Sequence, residues 1–204
     1  SASGKVAVKS NVGNITVDAI GIGGDFFLFH PLPLLSGSYF SGNDIMQDYC
    51  VLDQDAAWKL FGSNNVVGQT VYIGEVAHIV TGVVKRDESK LYKAAGLDGA
   101  LIYVSYSTLD KLGSNNGINH FEIVMPNPVK GYAYDYIKQA IGVAEDELEI
   151  VENSKRFTFF NRVLHIGKLP NRAMNGKAII YPYWENVARA TEDKLAVLMI
   201  FQLL

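Results

Sequence analysis

The feature that most constrains this chain is an uncharged run, LAVLMIFQLL, at residues 195–204, preceded directly by the charged, helix-compatible stretch ENVARATEDK. A surface helix keeps a polar face, whereas here the apolar residues surround the whole axis, so the run must be buried by something. A bilayer span takes about 20 such residues, and ten are half of that. The run reads as the beginning of a membrane span, or as a helix buried in the protein's own core or in a dimer. The first reading makes the 204 residues, opening on Ser1-Ala2-Ser3, a piece of a longer polypeptide.

Composition narrows the rest. With 49% hydrophobic and 19% charged residues the chain is globular, with length for one domain or two small lobes. A formal net charge of -3, with 18 Lys and Arg against 21 Asp and Glu, disfavours nucleic acid, whose phosphates call for a basic surface. The single cysteine, Cys50, rules out an internal disulfide and a cysteine-based zinc cluster. Between Tyr49 and Val51 it reads as a packed thiol in a strand.

KVAVKSN and ITVDAIGI alternate in period two around Asn11-Val12-Gly13-Asn14, which predicts a hairpin whose Gly and Asn take positive φ. GGDFFLFHPLPLLSGSYFSGND follows, where Pro31 and Pro33 forbid a regular helix and an irregular, well-packed connector is expected. In VLDQDAAWKLFG, Asp53 or Asp55 stands at a helix N-cap, Ala56, Ala57, Leu60 and Phe61 form the apolar stripe, and Gly62 supplies a left-handed C-cap. STLDKL is a second short helix expected to end the same way at Gly113. TVYIG, AHIVTGVV and ALIYVSY are strands. HFEIVMP, GYAYDYIKQAIG and ELEIVE then predict a β-α-β unit at 119–152, with Ala133, Tyr136, Ile137, Ala140 and Ile141 on one side of its helix. The run Glu145, Asp146, Glu147 is a solvated turn.

From Asn153 to Trp184 there is no acid, but there are six bases: Lys155, Arg156, Arg162, Lys168, Arg172 and Lys177. The aromatics Phe157, Phe159, Phe160, Tyr181, Tyr183 and Trp184 are interleaved with them. This is either a basic, aromatic surface near lipid headgroups or an acidic partner, or a strand pair with its aromatics inward.

No spacing signature of catalysis is present. GIGGD has neither the phosphate-loop nor the dinucleotide pattern, there is no nucleophile elbow, and His30, His78, His120 and His165 are scattered singly. Asp25, Asp44, Asp53 and Asp55 are the one carboxylate constellation, and each has a turn or capping task. No catalytic, cofactor-binding or metal residue is assigned.

The segment from 16 to 84 resembles the extracytoplasmic core domain of MacB/FtsX-like ABC transporter permeases. The matching positions are Gly23, Asp25, Phe26 and Phe27; Leu35, Gly37, Phe40, Ser41 and Asp44; Val51, Leu52, Ala57, Leu60, Phe61 and Gly62; then Val67, Gly68, Val71, Ile73, Val80, Gly82 and Val83. Ser38 stands where that family often has arginine. The resemblance implies an α+β fold: a porter-like β-α-β lobe from 1–45 and 113–184, an inserted mixed α/β lobe at 46–112, and a stalk helix at 185–204 leading into a membrane span. It also implies a non-catalytic domain facing the periplasm or cell exterior on a bacterial cytoplasmic membrane. Its partners would be a cytoplasmic ABC ATPase subunit or domain, a second permease copy, and an adaptor or lipoprotein, with motion passed from the ATPase to substrate export or release. The rival readings are a membrane-anchored binding module without a transporter and a carboxylate-dependent hydrolase.

Overall fold

The computed structural model describes residues 1–96, 99–144, 146–167 and 182–203. The fold is mixed α/β. It divides into two compact units, one of residues 1–121 with 180–184, the other of 122–179 with 185–204.

The first unit is built on one eight-stranded sheet. Strand β1 (Ala2–Lys9) and β2 (Asn14–Ile22) form the expected hairpin, in register from Ala2 opposite Gly21 to Lys9 opposite Asn14. β2 then runs parallel to β7 (Leu101–Ser105), β7 antiparallel to β4 (Tyr49–Asp53), and β4 parallel to β6 (Val76–Val84). β5 (Thr70–Ile73) pairs with β6 and, at Ile73, with Val8 of β1, so the ladder returns to its starting strand. β3 (Leu34–Gly37) adds to β6, and β8 (Ser114–Asn115) to β1. Strands 2–22 and 49–105 therefore share one sheet, and the two compact units part after Phe121.

Period-two alternation explains how two cores arise on this sheet. Cys50 and Leu52, Ile102 and Val104, Val6 and Val8 point to one face, where they meet Ala56, Ala57 and Leu60 of helix α2 (Gln54–Phe61) and Leu109 of α4 (Tyr106–Leu112). Val51, Leu101 and Tyr103 point to the other, against Phe26, Phe27 and Phe40. β7 is buried along its whole length, which is why ALIYVS reads as continuous apolar sequence. The connector is irregular apart from a single turn, α1 (Phe26–Phe29), and β3, and it is packed through Phe26, Phe27 and Phe40 while Leu28, Leu34 and Leu35 are exposed. Phe27 stacks on Tyr39 at 4.4 Å and meets Phe40 edge-on. Cys50 is fully buried, and burial pushes its thiol far above the ordinary range.

The hairpin turn differs from expectation. No residue in it has positive φ. Instead the Ser10 hydroxyl accepts from the Val12 and Gly13 amides and donates to the Leu60 carbonyl at 2.6 Å, tying the turn to the end of α2. Gly13 is required by proximity: a Cβ there would lie 2.7 Å from the Lys59 carbonyl oxygen. Gly13→Ala should cost about 1–3 kcal/mol through this backbone clash, measurable as a lower urea midpoint with unchanged m.

Gly62 is the expected left-handed cap, at φ 69°. Gly113 is not; it is extended, because β8 starts immediately after it and pairs with β1. The charged loop after β6 also hides a short helix, α3 (Lys90–Ala94), capped by the Ser89 hydroxyl.

The expected helix is present as α5 (Tyr132–Ile141), but the strands at 120–126 and 147–152 are not formed. Alternation signals an extended segment, and a strand also needs a partner ladder. Ile123 and Val124 are exposed, and the α5 stripe is at most half-buried, at Ala133, Ile137 and Ile141. Asp146 and Glu147 stand in a turn. A 3-10 turn (Asn153–Lys155), α6 (Phe159–Ile166) and α7 (Tyr183–Leu203) complete the described part. Residues 153–167 thus hold helical structure and no strand, while Lys168, Arg172, Lys177 and Tyr181 lie outside the described residues. Among the described residues no helix is long and apolar enough to cross a membrane.

Candidate functional site

The four aspartates do not converge on a common centre. Asp25 precedes α1 without making a side-chain cap bond. Asp44 accepts from the Ser41 amide at 2.9 Å, closing a turn. Asp53 is the helix cap: its Oδ1 accepts from the Ala56 amide at 2.7 Å, where the α2 dipole favours negative charge. Asp55, in the first turn of α2, accepts from Arg86 at 2.6 Å. Among the described residues no group of three or more His, Cys, Asp or Glu side chains could hold a metal ion.

One cleft lies in the first unit. It has a volume of about 630 Å³ and is lined in part by Asp53, Arg86, Glu88, Tyr92, Tyr103 and Tyr183. Asp53 is 3% exposed, and the Arg86 guanidinium stands 4.0 Å from its Oδ2. Burial raises its pKa to about 6, with the Asp55 charge adding to the rise, against the opposing pull of the Ala56 amide and Arg86. Among the described residues its lining combines the buried Asp53 carboxyl with the charged side chains of Lys85, Arg86, Asp87 and Glu88 and with phenolic rings.

This carboxyl makes stability fall with pH. Below about pH 4 it is protonated in both folded and unfolded chains. Between about pH 4 and 6 the unfolded chain ionises while the folded chain holds its proton, so the folded state loses ground as pH rises, by roughly 1–3 kcal/mol in all. Asp53→Asn keeps a cap acceptor and removes the buried charge. It should be more stable than the parent at pH 8, with the advantage vanishing near pH 4, as read by urea midpoints across pH.

The histidines are packed. His78 bonds the Val76 carbonyl and the Thr108 hydroxyl, each at 3.1 Å, and burial lowers its pKa, which keeps it neutral. His30 lies on Trp184 at 4.0 Å between centroids. His120 lies edge-on to the same ring.

Sequence reading missed a polar cluster in the second unit. Arg156 donates to both oxygens of Glu185, at 2.6 and 2.7 Å, and to Glu192 at 3.0 Å. His165 of α6 meets Asp193 of α7 at 2.9 Å. Glu185, Arg189, Glu192 and Asp193 recur on α7 at helical spacing, so ENVARATEDK carries one inward polar face. That 185, 189, 192, 193 spacing was the available signal, obscured because charged helical residues are ordinarily solvated.

The comparisons with known proteins agree with the motif order. The chain is 31% identical over 133 residues to the macrolide export ATP-binding/permease protein MacB of Chromobacterium violaceum, an alignment covering 63% of this chain and 20% of that protein. It is 32% identical over 107 residues to the MacB of Agrobacterium fabrum, covering 51% and 16%. The chain thus spans about a fifth of the length of the curated relatives it matches. Among solved structures it is similar to the periplasmic region of MacB from Actinobacillus actinomycetemcomitans, with a TM-score of 0.45 and 24% identity over 68% of this chain and 62% of that one. The extracellular domain of the noncanonic ABC-type transporter YknZ from Gram-positive bacteria gives a TM-score of 0.43 and 20% identity, covering 55% and 58%. The profile of the MacB-like periplasmic core domain matches residues 1–140, and the chain belongs to that family.

Proposed function

We propose that this chain is the extracytoplasmic domain of an ABC transporter permease, transmitting motion from a cytoplasmic ATPase to the export or release of a substrate. The observation that carries the reading is the family match across residues 1–140. In this reading α7 is the stalk, its charged part held by Arg156 and His165 and its uncharged part from Leu195 entering the membrane as the start of a span. The N-terminal strands and α5 belong to a porter-like lobe, with 46–112 inserted and sharing a sheet with the strands at 2–22. The domain performs no bond-breaking step of its own. ATP is hydrolysed by a separate module, and the permease works as a dimer, with an adaptor or lipoprotein as a further partner.

Motion requires two states and a rigid lever. Spin labels on Val12→Cys, 78% exposed at the hairpin tip, should report an inter-copy distance that changes by several ångströms between nucleotide-free and ATP-bound whole transporter. Cys50 is buried and leaves the label site-specific. An unchanged distance, or no dipolar coupling between copies, contradicts the proposal.

A further inference from the structure

Helix α6, FFNRVLHI, is oriented against the ordinary rule. At 100° per residue Phe159, Phe160, Val163 and Leu164 fall within one arc of roughly 140°. All four are exposed, Phe160 at 78% and Leu164 at 64%. His165 lies on the opposite side of the helix, buried, and bonds Asp193 of α7 at 2.9 Å. The polar side therefore faces into the unit and the apolar side faces out. A contiguous outward face of this kind marks a surface that something covers.

Its position on α7 indicates what. Asp193 is two residues before Leu195, about 3 Å along a helix axis, where the charged sequence gives way to the uncharged run. α6 is thus pinned level with that change of polarity. Just beyond it, Leu198 and Phe201 are also exposed, Phe201 at 71%. The sequence from Asn153 to Trp184 carries six bases and no acid; within the described part Arg156 is occupied by Glu185 and Glu192, and Lys155 meets Glu152 at 3.2 Å. Exposed Phe and Leu on a segment whose sequence is basic are what an anionic bilayer surface recognises.

We propose that α6 is an interfacial helix, lying in the headgroup layer of an anionic membrane beside the point where α7 enters it, with Phe159, Phe160, Val163 and Leu164 turned toward the acyl chains. This rests on the reading of α7 as the start of a span. The interfacial helix fixes the height and tilt at which the stalk leaves the bilayer, so the membrane surface itself becomes part of the lever.

The test uses the full 204-residue chain with vesicles of phosphatidylglycerol and phosphatidylcholine containing brominated acyl chains. A polarity-sensitive fluorophore is attached in turn to Phe160→Cys, Leu198→Cys and, as a water-exposed reference, Val12→Cys. Quenching at 160 and 198 but not at 12, with quenching at 160 reduced at least about fivefold on phosphatidylcholine alone or in high salt, is the expected result. A Phe159→Ser/Leu164→Ser background should reduce quenching at 160 about tenfold or more while leaving that at 198 in place. Quenching at 198 without quenching at 160 overturns the interfacial helix and spares the span. Quenching at neither site overturns both. Equal quenching on neutral and anionic vesicles removes the headgroup role and overturns the proposal as stated. Concentration-dependent shielding of the 160 label with sedimentation as a dimer, lipid absent, assigns the face to a second copy and overturns it as well.

Discussion

Replacing Arg156 with methionine should lower the stability of the second unit by about 3–5 kcal/mol, the range for breaking a buried ion pair from one side. The side chains of Arg156 and Glu192 are only 5% and 8% exposed, so the change takes the guanidinium away from a buried carboxylate. The same logic predicts partial recovery. In Arg156→Met with Glu192→Leu the more buried of the two carboxylates is gone as well and an apolar pair occupies the volume, so at least half of the loss should return. Amide exchange along 183–203, followed in urea, reads both variants, because Arg156 is bonded to α7 and its loss should release that helix first. Equal exchange in parent and single variant would show that the ion cluster contributes nothing to holding α7.

The second large effect is expected in the first unit. Leu60 and Trp58 stand two residues apart on α2, one fully buried and the other 63% exposed. Leu60→Ala should cost about 2–5 kcal/mol, since it removes methyl groups from a core closed by β4, β6 and the end of the hairpin and leaves a cavity there. Trp58→Ala should stay within about 0.5 kcal/mol despite deleting the larger side chain. Urea unfolding of both variants decides whether α2 is anchored through its inward stripe, as its amphipathic pattern requires. Comparable losses would mean that the exposed indole is covered in solution.

Local elements were legible because their determinants are local. α2 has its cap, stripe and terminal glycine within VLDQDAAWKLFG, and the β1–β2 hairpin has its alternation on either side of a short turn. The pairings that make the first unit were not legible. Nothing in DAIGI or LIYVS states that Asp18 should lie opposite Leu101 in a parallel register, nor that β4 should run between β6 and β7. Those choices are set by the two apolar faces that have to be buried together. The strands expected near 119–152 show the converse limit, for an alternating pattern describes one segment and a sheet needs two. The turn bond of Asp44 and the cap bond of Asp53 are local and could be read, but the partner of Asp55, Arg86, is 31 residues away and left no local mark. α6 was hardest of all, because amphipathicity names two faces without saying which one turns inward, and His165 bonding to Asp193 decides that.

The central claim is that the folded units stand outside the cytoplasmic membrane and α7 leads into it. Labelling of the whole protein in intact spheroplasts with a membrane-impermeant maleimide tests this most directly, with Val12→Cys and Leu198→Cys each placed against a buried Cys50. The account predicts rapid labelling at 12 without permeabilisation and none at 198, although that side chain is 57% exposed on the chain alone. Labelling at 12 only after the cytoplasmic membrane is opened, or equal labelling at 12 and 198 from outside, would contradict it.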